Sequence, residues 1–158
     1  PKRRSMNRRL FLKSATAATQ LTVALALGLL RPVRVLAEWP ADGFHATTLG
    51  DAITGMTGGA PTTPSAAVEI EANNIAENGA SVPVGVRSRL AGTRSIVILS
   101  ENNPNPAVAR FTLNPRMEPS VNTRIKMGAT GDVVALVQAD GGFYTARKRI
   151  QVTAGGCG

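Results

Sequence analysis

Apolar residues recur along the chain with three different spacings, and each spacing predicts a different kind of element. Residues 14–30 form a continuous uncharged run rich in Ala, Leu and Val. Further on, Leu49, Ile53 and Met56 return at helical spacing, which predicts a short helix near 47–56 closed by Gly58-Gly59 and Pro61. The expected place of that helix is a cap over one end of the domain. The surrounding segment is rich in Gly, Thr and Pro and reads as linker.

Beyond residue 64 the period falls to two. Val68, Ile70 and Ala72 alternate with Glu69 and Glu71, and Asn78-Gly79 marks a turn. Val82, Val84 and Val86 alternate around Pro83 and Gly85, and Pro83 suits an edge strand or the start of a strand. Ile96-Val97-Ile98-Leu99 is apolar throughout, as in a buried strand. Asn102-Asn103-Pro104-Asn105-Pro106 has the composition of a loop, and residues 108–113 resume a strand. Val121, Thr123, Ile125 and Met127 alternate with Asn122, Arg124 and Lys126. Residues 133–138 are apolar, and Asp140-Gly141-Gly142 is a hairpin turn. Tyr144, Ala146, Lys148, Ile150 and Val152 share one side of a last strand. Seven short strands at roughly even intervals predict an all-β chain, an immunoglobulin-like β-sandwich with a short N-terminal helix. Six aromatic residues in 158 leave the core to aliphatic side chains.

Charge changes the picture at one end only. The formal charge of +8 would suit a polyanion binder. However, eight of the 18 basic residues lie in 1–37 with no acidic one, so 38–158 carries ten of each sign and is neutral. Nucleic acid is therefore not expected as a partner. The basic start, the apolar run and Val35-Leu36-Ala37 have the order of a secretory signal peptide. Asn7-Arg8-Arg9-Leu10-Phe11-Leu12-Lys13 resembles a twin-arginine signal. The run is short for a spanning helix, so cleavage near Glu38 is expected rather than stable membrane anchoring. The chain thus divides into a twin-arginine signal peptide (1–37), a helix and linker segment (38–64), a sandwich (65–153) and a C-terminal arm (154–158).

Candidate chemistry is sparse. One His, His45, and one Cys, Cys157, cannot furnish a structural zinc site, and no metal or cofactor is expected. A Cys157–His45 nucleophile pair would require the first residues of the mature chain to meet its tail. Gly55-Met56-Thr57-Gly58-Gly59 lacks the Lys-Ser/Thr of a phosphate loop. What stands out is the end of the chain, Ala154-Gly155-Gly156-Cys157-Gly158. Glycine removes bulk on both sides of the sulfur and frees the backbone. From Thr153 the thiol reaches on the order of 13 Å when extended. A single cysteine so placed in an exported protein either pairs between molecules or carries something. The Gly158 carboxylate beside it disfavours the thiolate, so activation is expected from partner enzymes.

The chain resembles the SoxY family, the sulfur-carrier subunits of bacterial thiosulfate oxidation. The resemblance rests on Glu77-Asn78-Gly79 with Val82-Pro83-Val84, on Glu101-Asn102-Asn103-Pro104-Asn105-Pro106, on Thr123-Arg124-Ile125-Lys126-Met127, and on Val152-Thr153 followed by the glycine-rich tail. It implies a periplasmic carrier that is not itself an enzyme and pairs with a second β-sandwich subunit, SoxZ. It implies that Cys157 is joined oxidatively to thiosulfate by a haem c enzyme, and that a hydrolase then releases sulfate. Ala154, Gly155, Gly156 and Gly158 would be the swinging arm. A different reading of the same thiol is an exported structural domain tethered through an intermolecular Cys157 disulfide, and a third is a thiol enzyme. Arg147-Lys148-Arg149, just before the arm, is expected to protect a strand edge, or else to attract anionic sulfur species or an acidic partner surface. The 101–106 loop connects two strands or touches a partner.

Overall fold

In the computed structural model of the chain, residues 40–153 are described. The expected signal peptide (1–37) and the expected C-terminal arm (154–158) lie outside them. Two helices, α1 (Ala41–His45) and α2 (Leu49–Thr57), precede nine strands. These are β1 (Thr62–Pro64), β2 (Val68–Glu71), β3 (Ile75–Ala76), β4 (Val82–Ser88), β5 (Ser95–Ser100), β6 (Ala107–Thr112), β7 (Ser120–Ile125), β8 (Gly131–Ala139) and β9 (Gly142–Val152). The larger sheet has the order β1-β9-β8-β5-β6, with β3 also on β9; the smaller sheet is β2-β4-β7. The described residues are thus mostly β, two sheets face to face preceded by a short helical segment.

Alternation decides which face each strand buries. Val68 and Ile70 of β2 and Val82, Val84 and Val86 of β4 point inward from the smaller sheet. They meet Ile96 and Ile98 of β5, Val133, Ala135 and Val137 of β8, and Ile150 of β9. The polar partners Glu69, Glu71 and Arg87 lie outside and form exposed ion pairs. Pro83 falls at the start of β4, beyond the reach of β2, which pairs only from Gly85 onward. Its missing N–H therefore leaves no gap in that ladder.

The apolar runs in β5 and β8 do not alternate because the larger sheet is covered on both faces. Its outer face carries Val97, Leu99, Val134 and Leu136, which form a second core with Ala52 and Met56 of α2. This corrects the expected position of the helix: it lies flat on a sheet face rather than capping an end. The odd-numbered residues of β5 had to be buried by something, and α2 supplies it.

The helical layer is more ordered than its glycine content implies. Thr48 caps α2, its Oγ1 accepting from the Asp51 N–H at 3.2 Å. Gly58 closes the helix in the left-handed conformation at φ 64°. A Cβ on Gly55 would come within 2.5 Å of the Gly43 nitrogen, so a glycine there lets α1 and α2 cross in close contact. Gly55-Met56-Thr57-Gly58-Gly59 is therefore the last turn of a docked helix and its cap, not linker. Thr48→Ala is expected to lower stability by about 1 kcal/mol in urea unfolding, with Thr48→Ser close to wild type.

Two strands escaped the period. β1 and β3 have three and two residues. Both pair in parallel with β9, β1 at Phe143, Tyr144 and Thr145 and β3 at Gln151 and Val152. Segments so short carry no alternation; they are strands only because β9 presents an edge.

Candidate functional site

The sulfur-bearing residue of the sequence reading, Cys157, and its neighbours Ala154, Gly155, Gly156 and Gly158 lie outside the described residues. What the structure describes is the base from which they continue. β9 is the longest strand, 11 residues, and β8 pairs with it from Gly142 back to Ile150. The hairpin between them turns on Asp140-Gly141, with Gly141 at φ 89°. This long, doubly supported strand carries the chain from one end of the sandwich to the other and delivers Val152 and Thr153 there.

Both residues are held firmly. On one side, Gln151 N–H donates to Asn74 O at 2.8 Å and Thr153 N–H to Ala76 O at 3.0 Å. Thr153 Oγ1 donates to Glu77 O at 3.0 Å. On the other side, Val152 N–H donates to Thr130 Oγ1 at 2.9 Å, and that hydroxyl lies 3.3 Å from Val152 O. Thr130 is fixed in turn, since Asn102 Nδ2 donates to its carbonyl at 2.7 Å.

The polar loop 101–106 is occupied internally. Asn103 Nδ2 donates to Lys126 O at 2.7 Å, while its Oδ1 accepts from Gly128 N–H at 2.9 Å. Asn105 Nδ2 reaches Ala46 O at 3.3 Å, tying the loop to the segment after α1. Met127 N–H donates to Gly79 O at 2.8 Å. The motifs separated in sequence at 77–79, 101–106, 123–127 and 152–153 thus converge on one end of the sandwich. They form a collar around the residues that precede the arm. Of the two readings for the 101–106 loop, these bonds favour the connection: its three asparagine side chains are spent inside the domain.

Arg147, Lys148 and Arg149 occupy the stretch of β9 between the parts covered by β1 and β3. Arg149 Nη1 lies 3.7 Å and Arg147 Nη1 4.0 Å from the Asp132 carboxylate. Two cations sharing one anion across adjacent strands fit the blunting of an open edge. Lys148 points to the opposite face, at the rim of a depression lined by Glu69, Glu71 and Asn122. His45 ends α1, beside Asp42 and Asp51 in a shallow surface depression. Among the described residues no group of three His, Cys, Asp or Glu could hold a metal ion. No described helix is long and apolar enough to cross a membrane.

Sequence reasoning missed Thr130 and the Asn74–Ala76 rail. Their partners lie 22 and about 77 residues away in the chain, and no local pattern marks them. A weak signal existed in the polar, Asn-rich motifs, whose side chains needed partners that their own loops could not supply.

The profile of the family described as sulfur oxidation protein SoxY matches residues 53–157, from within α2 through Cys157. The solved structure of the sulfur carrier protein SoxY from Chlorobium limicola f thiosulfatophilum is similar at 41% identity and a TM-score of 0.63. That match covers 73% of this chain and 100% of the other. A superoxide reductase (neelaredoxin) from Ignicoccus hospitalis is similar at 26% identity, covering 54% of this chain and 79% of that one with a TM-score of 0.49. No curated protein sequence matches the chain at a significant level. By its matched length and its identity to that carrier, the chain belongs to the SoxY family.

Proposed function

We propose that this protein is a periplasmic sulfur carrier that holds thiosulfate-derived sulfur on Cys157 and presents it to partner enzymes. The observation that carries the reading is the family match running through Cys157. The collar at residues 152–153 supports it, because it gives a fixed base to the segment that bears the thiol. Loading joins the Cys157 sulfur to the outer sulfur of thiosulfate. One S–S bond forms, the thiol proton leaves to solvent and two electrons pass to an oxidising haem c partner. Hydrolysis of the terminal sulfonate by a second enzyme would release sulfate and leave a persulfide on Cys157. The carrier contributes no cofactor or metal of its own.

Under this reading residues 154–158 act as a swinging arm, with Ala154, Gly155, Gly156 and Gly158 keeping the sulfur slim enough to enter a narrow pocket. Export by the twin-arginine route would place the domain in the periplasm, paired with a SoxZ-like β-sandwich subunit. The test is intact mass after incubation with thiosulfate, the paired subunit and the oxidising enzyme. A thiosulfate adduct on the tail peptide is the expected result. A disulfide dimer and no adduct would overturn the carrier reading in favour of a tethered structural domain.

A further inference from the structure

We propose that Thr130 is a positioning residue for the carrier thiol, gripping Val152 opposite β3 and so fixing the point from which the arm departs. The inference rests on the carrier reading above and names a residue that sets its geometry.

The last β8–β9 pair is Gly131 with Ile150. Were the antiparallel ladder to continue, Val152 would face residue 129. The chain instead turns away before β8, and Val152 would be left with an unpaired N–H and C=O on that side. The Thr130 hydroxyl fills the gap, accepting from Val152 N–H at 2.9 Å with Val152 O 3.3 Å away. The hydroxyl serves both backbone groups of one residue from a single atom, accepting with a lone pair and donating its single proton, which a valine side chain cannot do. Thr130 is held for the task. Asn102 Nδ2 binds its carbonyl, and the same nitrogen sits where a Cβ on Gly131 would come within 2.8 Å. Asn103 ties Lys126 and Gly128 together just before it. Thr130 belongs to neither hydrophobic core. Its side chain therefore acts locally, on the arm's base.

Without this hydroxyl, residues 151–153 are held from one side only, by their bonds to Asn74, Ala76 and Glu77. When those one-sided bonds open, the last firmly held residue retreats toward Ile150. The tether to Cys157 lengthens from four residues to seven, and the departure direction is no longer set. For a partner docked on the domain, the local concentration of the sulfur falls with roughly the 3/2 power of tether length, about twofold from length alone.

The experiment compares wild type, Thr130→Val and Thr130→Ser in the full chain with its paired subunit. In Thr130→Val, amide exchange at Val152 is expected to speed up on the order of tenfold. The kcat of enzyme-catalysed thiosulfate loading is expected to fall roughly two- to fivefold at unchanged KM for the carrier. Thr130→Ser, which keeps the hydroxyl, restores both. Alkylation of Cys157 by iodoacetamide, which needs no docking, proceeds at the wild-type rate. A variant that was merely less folded would raise the apparent KM with kcat intact, which would overturn the positioning role. So would wild-type kcat in Thr130→Val, or failure of Thr130→Ser to restore it. A wild-type chain that takes no adduct would sink the carrier reading and the positioning role with it; the grip on Val152 is read separately by the exchange rate.

Discussion

Replacing Cys157 by serine is expected to remove the thiosulfate adduct entirely and to leave the unfolding transition where it is in the wild type. The chain has one cysteine, so no second thiol can take over. A serine hydroxyl cannot form the S–S bond on which loading depends. Among the described residues the buried members of the two cores run from Ala52 to Ile150, and the carrier reading requires a sulfur free of both. A change of stability within about 0.5 kcal/mol follows, the usual range for a position away from packed or paired groups. Intact mass reads the first half and a urea titration the second. An adduct surviving on Cys157→Ser would place the cargo elsewhere and refute the assignment. A large loss of stability would mean that the sulfur is packed into the fold, which a carrier thiol should not be.

Truncating Leu99 to alanine is expected to destabilise the domain by about 2–5 kcal/mol. Leu99 is fully buried in the core between the larger sheet and α2. Its neighbours Val97, Val134 and Leu136 are fixed by the β5–β8 ladder and cannot close the hole by moving independently. A loss of that size is a large part of the stability of a small domain. The urea midpoint should fall with the slope unchanged. Met117→Ala is the matched control, because that side chain is 58% exposed and should cost under about 0.5 kcal/mol. A Leu99→Ala effect no larger than that of Met117→Ala would mean that the helical layer does not seal the sheet in solution.

The two substitutions probe opposite kinds of residue. Leu99 matters through the atoms packed around it. Under the proposed carrier function, Cys157 matters through one atom that must stay available. The collar at Val152 and Thr153 joins the two regimes, since it ends the packed strand and precedes the segment proposed to carry the sulfur. That the motifs marking the family meet at this collar gives them a common physical purpose: each supplies a carbonyl, an amide or a hydroxyl to hold the same two residues or the loops beside them.

The sandwich strands were legible because a half-buried strand imposes a period of two on its own sequence. Val82-Pro83-Val84-Gly85-Val86 carries that signal without help from any other segment. The Asp140-Gly141 hairpin and the Gly58 end of the helix were readable for a similar reason, since turn and cap chemistry acts over a few residues. The uninterrupted run Ile96-Val97-Ile98-Leu99 announced burial on both faces but not what would cover the second one. The helix that does so is too short, and too rich in glycine, for its sequence to reveal its docking site.

The candidate thiol was legible for a different reason: it is the one cysteine of the chain, set among glycines, and composition alone isolates it. Thus sequence by itself determined the strand faces and the local turns, and singled out the candidate thiol, all of which depend on residues close together in the chain. Only the tertiary structure decided that α2 lies on a sheet face, that β1 and β3 are strands at all, and that Thr130, Asn102 and the 74–77 segment surround the base of the arm. Those features exist through pairings across tens of residues. Their hydrogen bonds satisfy backbone groups that have no partner until the chain has folded.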